Sequence, residues 1–220
     1  MRRILYFALA FVVVFAFSIL YYIQNLPLTV VIDGVTWTQV LYWDFKDGLY
    51  PRGWGWGNYS IVEGKLQIED LAGEASVYFL PVTHGGNFVL ETKVMLIREY
   101  YPAYAAAQLL TRDSNEQNYE SGMALLPELV QAIVRRMAEG TNCVCKAFEI
   151  NMSIDYGKWY IMRLMVHNGR MRAFVDGSEI YDSNSSFPVT TYGEPHLAVR
   201  YGVAAFEYVR ILNVPYCALF

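Results

Sequence analysis

Charge and cysteine are both scarce in this chain of 220 residues. Asp, Glu, Lys and Arg make up only 17% of it, with a net charge of −4. With no basic surplus to neutralise phosphates, composition excludes a nucleic-acid partner. Three cysteines cannot build a disulfide framework. Cys143, Cys145 and Cys217 allow one bridge at most, or three buried thiols. Cys-x-Cys without a neighbouring histidine lacks the ligand count of a metal site. The three histidines, His84, His167 and His196, stand beside turn sequences, and no Gly-x-Ser-x-Gly elbow occurs. No nucleophilic triad is therefore legible. Internal repeats and low-complexity tracts are missing too.

What the chain has is apolar. Behind Met1-Arg2-Arg3 runs Ile4 to Ile23 without a charged residue. A helix of that length crosses a bilayer and satisfies its own backbone polar groups. The run is too long for a cleaved signal peptide and ends in Tyr21-Tyr22-Ile23 with no small-x-small site. Residues 1–27 are thus expected to be a cytoplasmic tip and uncleaved signal anchor, with Arg2 and Arg3 inside. Residues 28–220 are expected to form one domain outside the cytoplasm, on a single-pass protein of the cell membrane. Three Asn-x-Ser sequons, at Asn58, Asn151 and Asn184, agree with a glycosylated surface protein.

Beyond Pro27 the chain reads as short strands. LTVVI, TWTQVLYWDF, KLQIED, ASVYFL, AAAQLLTR, KWYIMRLMVH and MRAFVDG are rich in β-branched and aromatic residues. In NFVLETKVMLI, alternation puts Phe88, Leu90, Thr92, Val94 and Leu96 on one face and Val89, Glu91, Lys93 and Met95 on the other. Glu63-Gly64, Asn168-Gly169 and Asp176-Gly177 are hairpin pairs. The pattern indicates an all-β, two-sheet antiparallel sandwich. Residues 127–140 are ambiguous, because Leu129, Val130, Ile133, Val134 and Met137 also fit helical spacing.

Two blocks carry a resemblance to a known family: WDFKDGLYPRGWGWGNYSIVEGKLQIED and YGKWYIMRLMVHNGRMRAFVDGSEIYDS, with YGVAAFEYVRIL as a closing match. They resemble the concanavalin A-like lectin/glucanase superfamily in its laminin-G-like and pentraxin-like forms. The resemblance spans most of residues 40 to 213 and implies a jelly roll, in which residues 118 to 140 form a hairpin. It implies that one of Trp54 and Trp56 packs under the sandwich, leaving the other exposed. It also implies a structural Ca²⁺ held by Asp44 or Asp47 together with Glu207.

Glycosidases of this fold carry two carboxylates on one strand, as Glu-x-Asp-x-(x)-Glu. The chain has no such strand. Glu116 and Glu120 have no acid between them, Glu149 and Asp155 are too far apart, and Glu69-Asp70 point to opposite faces. The expected function is therefore a non-catalytic glycan-binding module, with Trp54, Trp56, Tyr100, Tyr101 and Tyr104 as its aromatic platform. One alternative is an assembly subunit whose segments LPLTVVI and VPYCALF pair with a protein neighbour by strand addition. The other is a glycoside hydrolase whose carboxylates come from different strands.

Overall fold

The computed structural model describes residues 28–48, 55–71, 73, 75–78, 86–101, 104–113, 119–136, 144–183 and 193–214. The predicted anchor at residues 4–23 lies outside them, as do Trp54, Asn184, Cys143 and Cys217. Among the described residues no helix is long and apolar enough to cross a membrane.

Two antiparallel sheets stack into a jelly-roll sandwich, as the strand pattern predicts. The first has nine strands. β1 (Thr29–Ile32), β2 (Val35–Trp43), β16 (Gly202–Asn213), β7 (Phe88–Glu99), β12 (Trp159–His167), β13 (Arg170–Val175) and β14 (Ser178–Asp182) follow in that order. β4 (Asn58–Val62) pairs with β5 (Lys65–Asp70), and β5 shares one edge of β16 with β2. The second sheet has seven strands. They run β11 (Val144–Asn151), β10 (Leu129–Arg136), β9 (Tyr119–Leu125), β8 (Ala106–Asp113), β15 (Gly193–Arg200), β6 (Ala75–Tyr78) and β3 (Gly55–Trp56).

Alternation explains the core. Phe88, Leu90, Val94 and Leu96 of β7 face inward, meeting Leu109, Met123, Val130 and Leu197 of the second sheet. Full burial of each such side chain contributes about 1.5–3 kcal/mol. Within the ambiguous stretch Leu129–Arg136 forms strand β10, paired with β11 throughout and with β9 from Val130. Asn168 (φ 53) and Gly169 (φ 74) take the positive φ that their hairpin requires. Asp33-Gly34, which joins β1 to β2, is a further turn of this kind.

Candidate functional site

The outer face of the second sheet is built from the same alternation. Leu110, Ala124, Ile133 and Ala198 point away from the core and pack into a small cluster of their own. Backbone register sets the outer residues in rows across the strands. One row crosses all seven strands as Glu149, Gln131, Ala124, Gln108, Ala198, Ser76 and Trp56. Gln131 Nε2 donates to Glu149 Oε1 at 3.0 Å. Gln108 at the centre is 2% exposed, and its Oε1 has no hydrogen-bond partner.

Four residues along β8 a second row carries charge. Register places Glu194 of β15 opposite Arg112 of β8, Arg112 opposite Glu120 of β9, and Glu120 opposite Arg135 of β10. Strands lie about 4.8 Å apart, so the backbones of Glu120 and Glu194, with β8 alone between them, are about 10 Å apart. His196 is buried on β15 beside the row, its Nδ1 3.3 Å from the Glu194 carbonyl oxygen.

A second acid on β9 is sterically barred. The alternate position after Glu120 is Gly122, where a Cβ would lie 2.3 Å from the Leu109 carbonyl oxygen and 2.6 Å from Leu110 Cδ2. Ala124 follows, buried. A carboxylate pair on this face therefore needs two strands, and Glu120 with Glu194 is the pair that register supplies.

The tyrosines expected to bind ligand divide. Tyr101 and Tyr104 come together with Leu71 and Tyr201 around a cleft of about 490 Å³ at the end of the sandwich. Tyr101 is 55% exposed and Tyr104 67%. Their ring centroids stand 5.4 and 6.2 Å from that of Tyr201, nearly perpendicular to it. Tyr100 does not line the cleft. Its hydroxyl donates to Glu69, and Arg98 lies over its ring with the guanidinium carbon 4.7 Å from the centroid. The hydrogen bond to Glu69 raises the Tyr100 pKa above the usual phenol value. Sequence reasoning missed Tyr201 and Leu71, whose only signal is a position in turns between alternating apolar runs.

Trp56 lies on β3, opposite Ser76. Its neighbour Gly57 needs to be glycine, having φ +83 and a Cβ position 2.4 Å from Ala75 Cβ. The proposed calcium ligands face lysines instead: Asp44 Oδ2 is 2.9 Å from Lys46 Nζ, and Glu207 Oε2 is 2.5 Å from Lys93 Nζ. Hydrogen bonding to Lys46 holds the Asp44 pKa below the usual carboxylate value. Among the described residues no group of three or more His, Cys, Asp or Glu is placed to hold a metal. Asn58 and Asn151 are exposed on their strands. Within LPLTVVI, Thr29–Ile32 forms edge strand β1, with Leu28 and Val31 exposed, while VPYCALF lies mostly outside the described residues.

No family model and no curated protein matches the chain. Solved structures do. An endo-β-1,3-glucanase from Pyrococcus furiosus is similar with a TM-score of 0.65 and 12% identity, over 86% of this chain and 98% of that one. A glycoside hydrolase family 16 endo-glucanase from Bacteroides ovatus gives 0.62 at 9% identity, over 78% and 99%. A carbohydrate binding module, CBM66 from Bacillus subtilis, gives 0.58 at 17% identity, over 73% and 94%. At these identities the likeness is one of fold, the concanavalin A-like jelly roll. It corrects the expectation of a non-catalytic module. Glucan-cleaving enzymes share the sandwich over nearly their whole length, and that expectation had looked for both acids on one strand.

Proposed function

We propose that the protein is an extracytoplasmic glycoside hydrolase acting on a β-glucan, with Glu120 and Glu194 as its carboxylate pair. The observation that carries this reading is the row in which Arg112 alone separates the two acids on one face of the second sheet. The glucanases among the similar structures support the substrate class, and the run Ile4 to Ile23 supports attachment to the membrane.

Two roles are needed in such hydrolysis. One carboxyl protonates the glycosidic oxygen, and the other activates a water on the opposite face of the sugar. Carboxyl groups about 6.5–9.5 Å apart leave room for that water and invert the anomeric centre. Backbone positions two strand spacings apart lie nearer this range than the roughly 5 Å of a double displacement. Register puts an arginine position on each side of Glu120, and we assign Glu120 the role of base. Glu194 is then the acid.

The test is release of reducing sugar from laminarin and lichenan by the full chain in mild detergent, with the first-formed anomer read by NMR. The reading predicts release with an α-configured first product from these β-linked chains. Absence of release from both substrates would refute it.

A further inference from the structure

The tyrosine cleft is not part of the carboxylate row. Arg112 lies six positions along β8 from Ala106, at the cleft end, which puts the two about 20 Å apart along the strand. What lies beside the cleft is a groove of about 250 Å³ lined by Asn58, Ser60, Gln67 and Glu69 of β4 and β5. Cleft and groove are joined by chain and by contact. Leu71 follows closely on Glu69, and the Tyr100 hydroxyl, next to Tyr101, donates to the Glu69 carboxylate.

This end of the molecule is built in advance of any ligand. Asp70 Oδ2 accepts the Tyr201 backbone N–H at 2.7 Å and the Gly73 N–H at 3.0 Å. Tyr100 N–H donates to the Tyr201 carbonyl at 2.8 Å, and Tyr104 N–H to the Tyr101 carbonyl at 3.2 Å. Three connections, β5 to β6, β7 to β8 and β15 to β16, are thereby held together. The backbone that carries the rings is thus ordered before binding, which lowers the cost of association.

The chemistry selects a class of ligand. More than half of each of Tyr101 and Tyr104 is open to solvent, which leaves flat apolar surface for a ring. The adjoining amides, hydroxyl and carboxylate offer donors and acceptors side by side, complementary to vicinal hydroxyls. Arg98, at this junction, is already engaged by Glu69 and Tyr100 and so is not a free cation for a phosphate. A purely apolar ligand would leave the groove's polar groups unpaired.

We propose that this end of the sandwich is a second saccharide site, holding a polysaccharide by stacking on Tyr101 and Tyr104 and by hydrogen bonds to Gln67 and Glu69. The choice of a glucan as its ligand rests on the hydrolase reading. The site would keep a long chain on the enzyme between cleavages at the distant row.

The test is affinity electrophoresis of the full chain through gels containing laminarin, in the Glu120→Gln/Glu194→Gln background so that the probe is not consumed. Retardation is expected, and Tyr101→Ala/Tyr104→Ala should weaken it roughly tenfold or more, the scale of losing a well-placed aromatic anchor. Gln67→Ala should weaken it less, and serves as the second variant if the tyrosine variant fails to unfold cooperatively on heating. Absence of retardation, or equal retardation of both variants, would overturn the proposal. Retardation lost in the variants while the wild-type chain releases no sugar would uphold this site and strike only the hydrolase reading.

Discussion

The Asp70 carboxylate accepts the backbone N–H of Tyr201 at 2.7 Å, across the gap between β5 and the β15–β16 turn. Asp70 is 8% exposed, and Tyr201 sits at φ +48, a conformation that a tyrosine adopts only when its surroundings impose it. Asp70→Ala would leave the N–H groups of Tyr201 and Gly73 without their acceptor. The expected loss is about 2–3 kcal/mol, since a buried donor stripped of its partner keeps its desolvation cost. Thermal unfolding by tryptophan fluorescence would show it. Because Tyr201 lines the cleft, laminarin retardation should weaken in the same variant.

Gly122→Ala should be among the most damaging single-methyl changes. Its Cβ would meet the Leu109 carbonyl oxygen at 2.3 Å and the Leu110 backbone Cα at 2.9 Å, neither of which can swing away. A cost of about 3 kcal/mol or more is expected from forced backbone shifts. Gly34→Ala is the control: φ is +76 there, but nothing lies within 4 Å. It should cost only about 1 kcal/mol of conformational strain. Equal melting temperatures for the two variants would contradict the packing described for β9.

The alternation of β7 and the Asn-Gly and Asp-Gly turns were legible because they are local. Phe88, Leu90, Val94 and Leu96 share a face for a reason written into their spacing. Glu120 and Glu194 were not legible as a pair, because their nearness depends on β15 taking its place beside β8, and register across a sheet is a tertiary outcome. Tyr101 and Tyr104 could be picked from EYYPAY, but Tyr201 joins them only through that same strand order. Residues 127–140 are ambiguous in sequence because an apolar residue, Ile133, stands on the outer face of β10 as well. Val130 and Ala132 pack in the main core and Ile133 in the outer cluster, so clean alternation is lost.

Stability should fall steeply at high pH through Tyr208. Burial first, and then the charge and hydrogen bond of Glu91, push this phenol well above its usual value. Its hydroxyl donates to Glu91 Oε1 at 3.0 Å. In the unfolded chain tyrosine loses its proton near pH 10, about its unperturbed value. The folded state therefore binds more protons above that pH, and unfolding free energy declines as pH rises. Tyr208→Phe should flatten the decline in melts taken from about pH 9 to 11.5, where unfolded tyrosine titrates. An unchanged slope would show that Tyr208 plays no part in it.

The most direct measurement of the central claim is the rate of laminarin hydrolysis by the full chain beside Glu120→Gln and Glu194→Gln, each checked for folding. Removing either member of an acid–base pair should reduce the rate by about 10²–10⁴-fold. The account predicts activity in the wild-type chain and a loss of this size in both variants, with Glu149→Gln close to wild type. Wild-type rates in either folded variant would show that the row of Glu194, Arg112 and Glu120 is only a cross-strand charge ladder.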